Sequence, residues 1–313
     1  MLIFSSESAS KNNIYARTRL TKTIQEQGTL FFRTFIHYVK ARTAPIYCFP
    51  IATLISALLG SEGNLNPYLV ASVVTGSYWL GLATYVYNDL TDFEVDKINK
   101  TKRPSITGKA TKNQLIITIC VMFTIGLGLT ASINFYTFGV SIIFIVLAIT
   151  YSHPKFKLKN KFALKTVITA SGAGLLSLIG GMAMLNTSLP ILYSTFAFFV
   201  FYFILSPLGD IGDIIGDRAV GRRTFPIVLG MKPTLIIMLS VPIMIIILIG
   251  LSLDALQINI IGAFSVIITA AAVIAVILKI SKRLNDVHYV KSLRPKMRFL
   301  NVLMQISMLL AFL

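Results

Sequence analysis

Nine long apolar stretches dominate the chain, near residues 44–60, 67–87, 115–133, 135–152, 163–186, 190–208, 233–252, 257–279 and 299–313. The segments between them are short and collect the charged residues. A helix rises about 1.5 Å per residue, so ~20 apolar residues cross a hydrocarbon core of ~30 Å. Most of the nine have about that length. The last is short at 15 residues; Lys296 to Arg298 complete it by snorkelling, or it lies partly in the interface. The pattern predicts an all-α membrane protein with nine transmembrane helices. Ahead of them, Thr23 to Lys40 sets Ile24, Leu30, Phe31, Phe35, Ile36 and Val39 between polar residues, which predicts an amphipathic helix lying on the membrane. Residues 1 to about 22 are polar, Ser-rich and read as disordered. Glu7 and Glu26 weaken a transit-peptide reading, and a first apolar run near Ala44 argues against a cleaved signal peptide. The expected division is an N-terminal segment, 1–40, and a transmembrane domain, 41–313.

Composition agrees: 55% of the residues are hydrophobic, 13% are charged and the mean hydropathy is +0.76, values foreign to a soluble domain. The formal net charge of +17 would suggest nucleic acid in a soluble protein, but its distribution gives another reason for it. All 29 lysines and arginines fall in the N-terminal segment or after the second, fourth, sixth and eighth stretches, and none in the alternate connections, whose charges are Glu62 and Asp254. The positive-inside rule places the N-terminus in the cytoplasm and, with nine spans, the C-terminus outside. The charge therefore serves topology and attraction to anionic membrane lipids, and nucleic acid is not an expected partner. Cys48 and Cys120 both fall within apolar stretches, and His37, His153 and His288 show no metal-ligand spacing.

Acid in so apolar a chain needs a reason. Asn88-Asp89-Leu90-Thr91-Asp92-Phe93-Glu94-Val95-Asp96 puts four carboxylates into nine residues. On a helix Asn88, Asp92 and Asp96 share a face. The i, i+3, i+7 spacing of Asp89, Asp92 and Asp96 recurs in Asp210, Asp213 and Asp217, and each copy ends an apolar run and leads into a basic segment, Lys97 to Arg103 or Arg218, Arg222 and Arg223. Clustered hard oxygen donors suit Mg²⁺, and adjacent Arg and Lys suit phosphate; together they make the pattern of a metal-diphosphate site. Tyr151 and Lys155, spaced one helical turn apart, stand at the same membrane level. A cation transporter also uses membrane carboxylates, but at mid-span and not beside bases at span ends. Thr169 to Gly181 is rich in small residues, which favours close helix packing, with a groove for an apolar ligand as the alternative. The last three stretches carry charge only at their ends and read as scaffold.

These residues resemble the UbiA superfamily of intramembrane prenyltransferases. Asn88-Asp89-x-x-Asp92-x-x-x-Asp96 resembles its first acidic motif, Asp210-x-x-Asp213-x-x-x-Asp217 its second, and Tyr151-x-x-x-Lys155 its YxxxK element, in family order. The resemblance implies a bundle of nine helices around a central cavity, with a cytoplasmic active site under a cap of loops. It implies two Mg²⁺ held by Asn88, Asp92, Asp96, Asp210, Asp213 and Asp217, with Lys155, Tyr151 and Arg103 on phosphate oxygens. Asp89, Arg42, Arg222 and Arg223 are assigned to the substrates. The implied reaction moves a prenyl group from an allylic diphosphate to a lipid-soluble acceptor, an aromatic or quinone precursor or geranylgeranylglyceryl phosphate; a cyclase without acceptor is the alternative.

Overall fold

The structure, a computed structural model, describes residues 25, 26 and 28–313. The segment expected to be disordered, 1–22, lies outside the described residues. The described residues form helices and loops, with no strand among them. A first helix, α1 (28–41), leads through Arg42 into α2 (Thr43–Gly60). Then follow α3 (Pro67–Thr91), a short α4 (Phe93–Ile98), α5 (Lys112–Ala131), α6 (Phe135–Ser152), α7 (Leu164–Ala183), α8 (Leu189–Ala219), a short α9 (Phe225–Val228), α10 (Met231–Ser252), α11 (Ile260–Ser281) and α12 (Val287–Phe312).

Each of the nine apolar stretches is a helix. Among the described residues, seven of these helices, α3, α5, α6, α7, α8, α10 and α11, are long and apolar enough to cross a membrane. This makes the chain a multi-pass membrane protein. The other two are α2, which carries no charged residue, and α12, which carries Lys291, Arg294, Lys296 and Arg298 in its first half. The helix starts are fixed by local chemistry: the Asn66 side chain accepts from the amides of Tyr68 and Leu69 ahead of α3, and Thr111 and Gln114 form a capping box at α5.

The nine helices contact one another in a closed ring, α2, α3, α5, α6, α7, α8, α10, α11, α12 and back to α2, pinched where α2 meets α7 and α8 meets α12. One lobe, of α8, α10, α11 and α12, is filled by aliphatic side chains such as Ile204, Met238, Val266 and Met304. An apolar cavity lies among α2, α3, α6, α7 and α8.

Two expectations need amendment. The small residues of α7 do both things considered: a Cβ on Gly180 would overlap the Thr53 carbonyl of α2, whereas Gly172 and Ala173 line the cavity. The apolar side of α1 is not simply laid on lipid. Phe35 stacks on Trp79 of α3 at 5.0 Å, and Tyr38 is fully buried among Leu82, Val86 and Leu115, because α3 and α5 offer it a complementary apolar flank.

Candidate active site

Both acidic motifs lie at the same end of the bundle as the basic loops. The first straddles a break: α3 stops at Thr91, Asp92 leaves helical geometry at φ −106° and ψ 16°, and α4 restarts at Phe93. The ladder survives it, with the amide of Asp92 donating to the carbonyl of Asn88 and that of Asp96 to Asp92, both at 2.9 Å. Asp89, Asp92 and Asp96 are thereby buried together. The second motif sits on unbroken α8, whose 31 residues outlast the expected span by more than two turns. The two motifs are latched to each other, since the amide of Gly216 donates to Asn99 Oδ1 at 3.1 Å and a side chain at Gly216 would strike Asn99.

Every motif aspartate is paired with a cation. Arg42 binds Asp89 through two nitrogens, and Arg103 bridges Asp89, at 2.9 Å, to Asp96. Asp92 meets Lys159 Nζ at 2.7 Å and Arg222, and Arg222 reaches on to Asp217 at 3.0 Å, joining one motif to the other. Lys165 spans Asp210 and Asp217, the latter at 3.7 Å. Asp213, less buried than Asp210 or Asp217, faces α12, with Arg294 at 3.1 Å and Lys291 at 3.5 Å. Asn88 Oδ1 accepts from Ser152 at 3.2 Å.

Of the basic residues singled out in the sequence, Arg42, Arg103 and Arg222 are brought in among the acids. Lys155 and Arg223 do not: Lys155 is exposed, and Arg223 contributes only a backbone amide, to the carbonyl of Asn160, with its side chain turned out. The reason at Lys155 is backbone geometry. His153 adopts an extended conformation, ψ 134°, and ends α6, so Tyr151 and Lys155 are not one helical turn apart. The buried cations are instead Lys159, set aside in the sequence as a membrane anchor, and Lys165. Lys291 and Arg294, on a helix read as scaffold, are also part of the site. In the sequence their one signal was basic residues at helical spacing, Lys291, Arg294 and Arg298, on one flank of an apolar helix.

Below the acids is an apolar pocket of about 190 Å³ with Phe49, Phe144, Leu147, Ile168 and Gly172 in its wall and Asn88 at its polar end. Beside it, a second chamber of about 210 Å³ is lined by Arg42, Arg103, Lys165, Asp213, Arg294 and Arg298. Tyr85, Tyr151, Thr169 and Tyr202 line both, so the two adjoin across residues that include three tyrosines.

Charge states outside the spans follow from these contacts. Burial pushes the Asp92 carboxyl up, but Arg222 and Lys159 together outweigh it and hold the group below the ordinary carboxylate value. At Asp96 burial wins over Arg103 and Arg42, and its pKa is raised to about 6. Burial also lowers Lys159, against the pull of Asp92.

Among the described residues no three carboxylate, thiol or imidazole groups are gathered closely enough to hold a metal ion. The donors nevertheless fit magnesium in kind: they are hard oxygens, and Asp210 Oδ2 and Asp217 Oδ2 are buried without a hydrogen-bond partner. What keeps the acids apart is the lysines and arginines between them.

Paired acidic motifs with interleaved bases at one end, next to an apolar pocket, place the chain in the class of helical membrane bundles with a charged site at one membrane face. Residues 49–303 match the model of the UbiA prenyltransferase family, and the chain belongs to that family. A digeranylgeranylglyceryl phosphate synthase from Sulfolobus acidocaldarius is 34% identical over 177 residues, 55% of this chain and 59% of its own length. The chain thus spans about three fifths of that relative. Among solved structures, an apo UbiA homologue from Aeropyrum pernix K1 superposes with a TM-score of 0.69 at 21% identity, covering 84% of this chain and 94% of its own. One from Archaeoglobus fulgidus, bound to GPP and Mg²⁺, gives 0.63 at 16% identity, covering 87% and 99%. At these identities the structures show a shared fold.

Proposed function

We propose that the protein transfers a prenyl group from an allylic polyprenyl diphosphate to a glycerol-phosphate lipid acceptor, in a nine-span bundle whose active site opens to the cytoplasm. The observation that carries this reading is that the two cavities adjoin, sharing Tyr85, Tyr151, Thr169 and Tyr202. A site with its acids and bases at one end and an apolar pocket next to them suits a diphosphate head and a hydrocarbon tail at once. Six of its polar side chains, Asn88, Asp92, Asp96, Asp210, Asp213 and Asp217, are the proposed holders of Mg²⁺, which when bound would supply positive charge against the charge that develops on the leaving diphosphate.

The chain's own groups do the rest. Arg103, Lys159, Lys165 and Arg222, each now on an aspartate, donate to phosphate oxygens once the acids are taken up, and aim fixed positive charge at the departing group. Tyr85, Tyr151 and Tyr202 line both chambers, beside where the allylic carbon would lie, and an aromatic ring turned to that carbon would stabilise a developing cation. The apolar pocket below excludes water that would otherwise trap that cation, and its buried area stabilises the tail at about 25 cal/mol per Å². The acceptor class follows the Sulfolobus relative, which is named for a geranylgeranylated glyceryl phosphate product.

The experiment is Mg²⁺-dependent turnover of labelled geranylgeranyl diphosphate by the purified protein in detergent, with geranylgeranylglyceryl phosphate or aromatic acids and phenols as acceptor. Label in the glyceryl phosphate product supports the reading. Label in an aromatic product alone, or in a hydrocarbon formed without acceptor, refutes it. Asp92→Asn, which keeps the shape and removes a proposed ligand charge, is expected to lower kcat about 10²-fold or more with the protein still folded.

A further inference from the structure

The second chamber is lined by cations from two sides. Five cations line it, Arg42, Arg103, Lys165, Arg294 and Arg298, against one carboxylate, Asp213. Three of them approach from the motif side, where they bind Asp89, Asp96 and Asp210. The other two come from α12, across the chamber. Arg294 and Arg298 are four residues apart on one helix face, so their guanidinium groups stand one turn apart.

Their surroundings differ in a useful way. Arg294 is pinned, donating to the carbonyl of Gly209 at 2.6 Å and to Asp213 at 3.1 Å, while its buried Nε has no hydrogen-bond partner. Arg298 is half-buried, acts electrostatically on Tyr85 and Tyr202, and so sits at the junction with the apolar pocket. One turn deeper, Asn301 is fully buried with neither amide atom hydrogen-bonded. Arginines at this depth are costly unless an anion meets them, and the planar fork of arginine matches phosphate oxygens two at a time.

We propose that Arg294 and Arg298 form an anion subsite for the acceptor, separate from the diphosphate subsite, that binds the phosphomonoester of the acceptor lipid and orients its hydroxyl toward the three shared tyrosines. This rests on the prenyl-transfer reading and deepens it. Were Asp213 to hold a metal, Arg294 would keep the Gly209 carbonyl and have guanidinium donors to offer to the chamber. Built around charge, the subsite favours an acceptor that carries phosphate over one that does not.

The test uses the full chain in detergent with Mg²⁺ and geranylgeranyl diphosphate. Wild type is compared with Arg298→Gln, Arg298→Lys and Arg294→Gln on two acceptors that differ only in the phosphate, geranylgeranylglyceryl phosphate and geranylgeranylglycerol. Arg298→Gln is expected to raise KM for the phosphorylated acceptor about tenfold or more, to leave KM for the diphosphate within about twofold, and to leave the dephosphorylated acceptor no worse. Arg298→Lys should recover part of the loss. Equal losses on both acceptors, or a rise in KM for the diphosphate alone, overturn the subsite. Thermal unfolding gives a readout independent of turnover: the phosphorylated acceptor should raise Tm of the wild type and not of Arg298→Gln. Such protection without prenyl transfer would sink the transferase reading and leave the subsite standing. No preference for the phosphorylated lipid in Tm or KM would sink the subsite whether or not transfer occurs. Should Arg298→Gln fold poorly, Arg294→Gln carries the same comparison.

Discussion

The lysines after α6 show what a residue gains from its backbone. Lys159 is buried against Asp92 and Thr91, whereas Lys155, four residues earlier, is exposed. Lys159→Ala is expected to lower kcat/KM for the prenyl diphosphate about 10²-fold, and Lys155→Ala to stay within about twofold; steady-state kinetics on the two variants separates them. The acids were legible because carboxylates in so apolar a chain are rare and these repeat. The lysines were not, since Lys157 takes φ 46° and Ala163 φ 57°, and no regular period survives such turns. Asp96 carries a pH prediction. Burial, only partly offset by Arg103 and Arg42, raises it to about 6, so below that pH the metal-free carboxyl holds a proton that Mg²⁺ must expel. The Mg²⁺ concentration for half-maximal activity should therefore climb as pH falls below 6, by up to about tenfold per unit, and level off above it. Mg²⁺ titrations at pH 5.5 and 7.5 check the sign.

At the scale of elements, hydrophobic run length located the nine helices but not where each of them stops. The run near 190–208 ends where polar residues begin, yet α8 continues to Ala219, because Asp210, Asp213 and Asp217 each find a cation and Gly212 and Gly216 let Arg294 and Asn99 press against the helix. Nothing local announces this, since the partners lie on α7, α12 and the loop after α4. The packing of α7 separates two kinds of glycine. Gly180→Val is expected to destabilise the fold by about 1–3 kcal/mol or more, seen as a lower Tm and poor yield, because the Thr53 carbonyl lies where the new Cβ must go. At Gly172 a Cβ meets only Phe144, at 3.6 Å, and Gly172→Leu, with its longer side chain turned into the pocket, should fold. It fills the apolar pocket, and the ratio of kcat/KM for a short over a long prenyl diphosphate should rise about tenfold.

Across the whole molecule, the alternation of basic and base-free connections predicts an orientation that a labelling experiment can check. A cysteine at Lys109, between α4 and α5, should react with an impermeant maleimide only from the cytoplasmic side, and one at Asn64, between α2 and α3, only from the opposite side. The reverse pattern would invert the bundle. The architecture was largely readable because a membrane demands long apolar helices, but the pinched ring was not, since it depends on which helix faces carry glycine and which carry bulk. The ion-pair chain across the site has a final consequence. Among the described residues, six motif aspartates pair with seven lysines and arginines, so the resting site resembles a loaded ion exchanger. On the proposed reading, magnesium alone would have to evict a guanidinium into a cavity with no anion to receive it, and diphosphate alone would have to evict a carboxylate. Arriving together they would exchange partners with the protein, which would make the magnesium-diphosphate complex, and neither half of it, the species such a site admits.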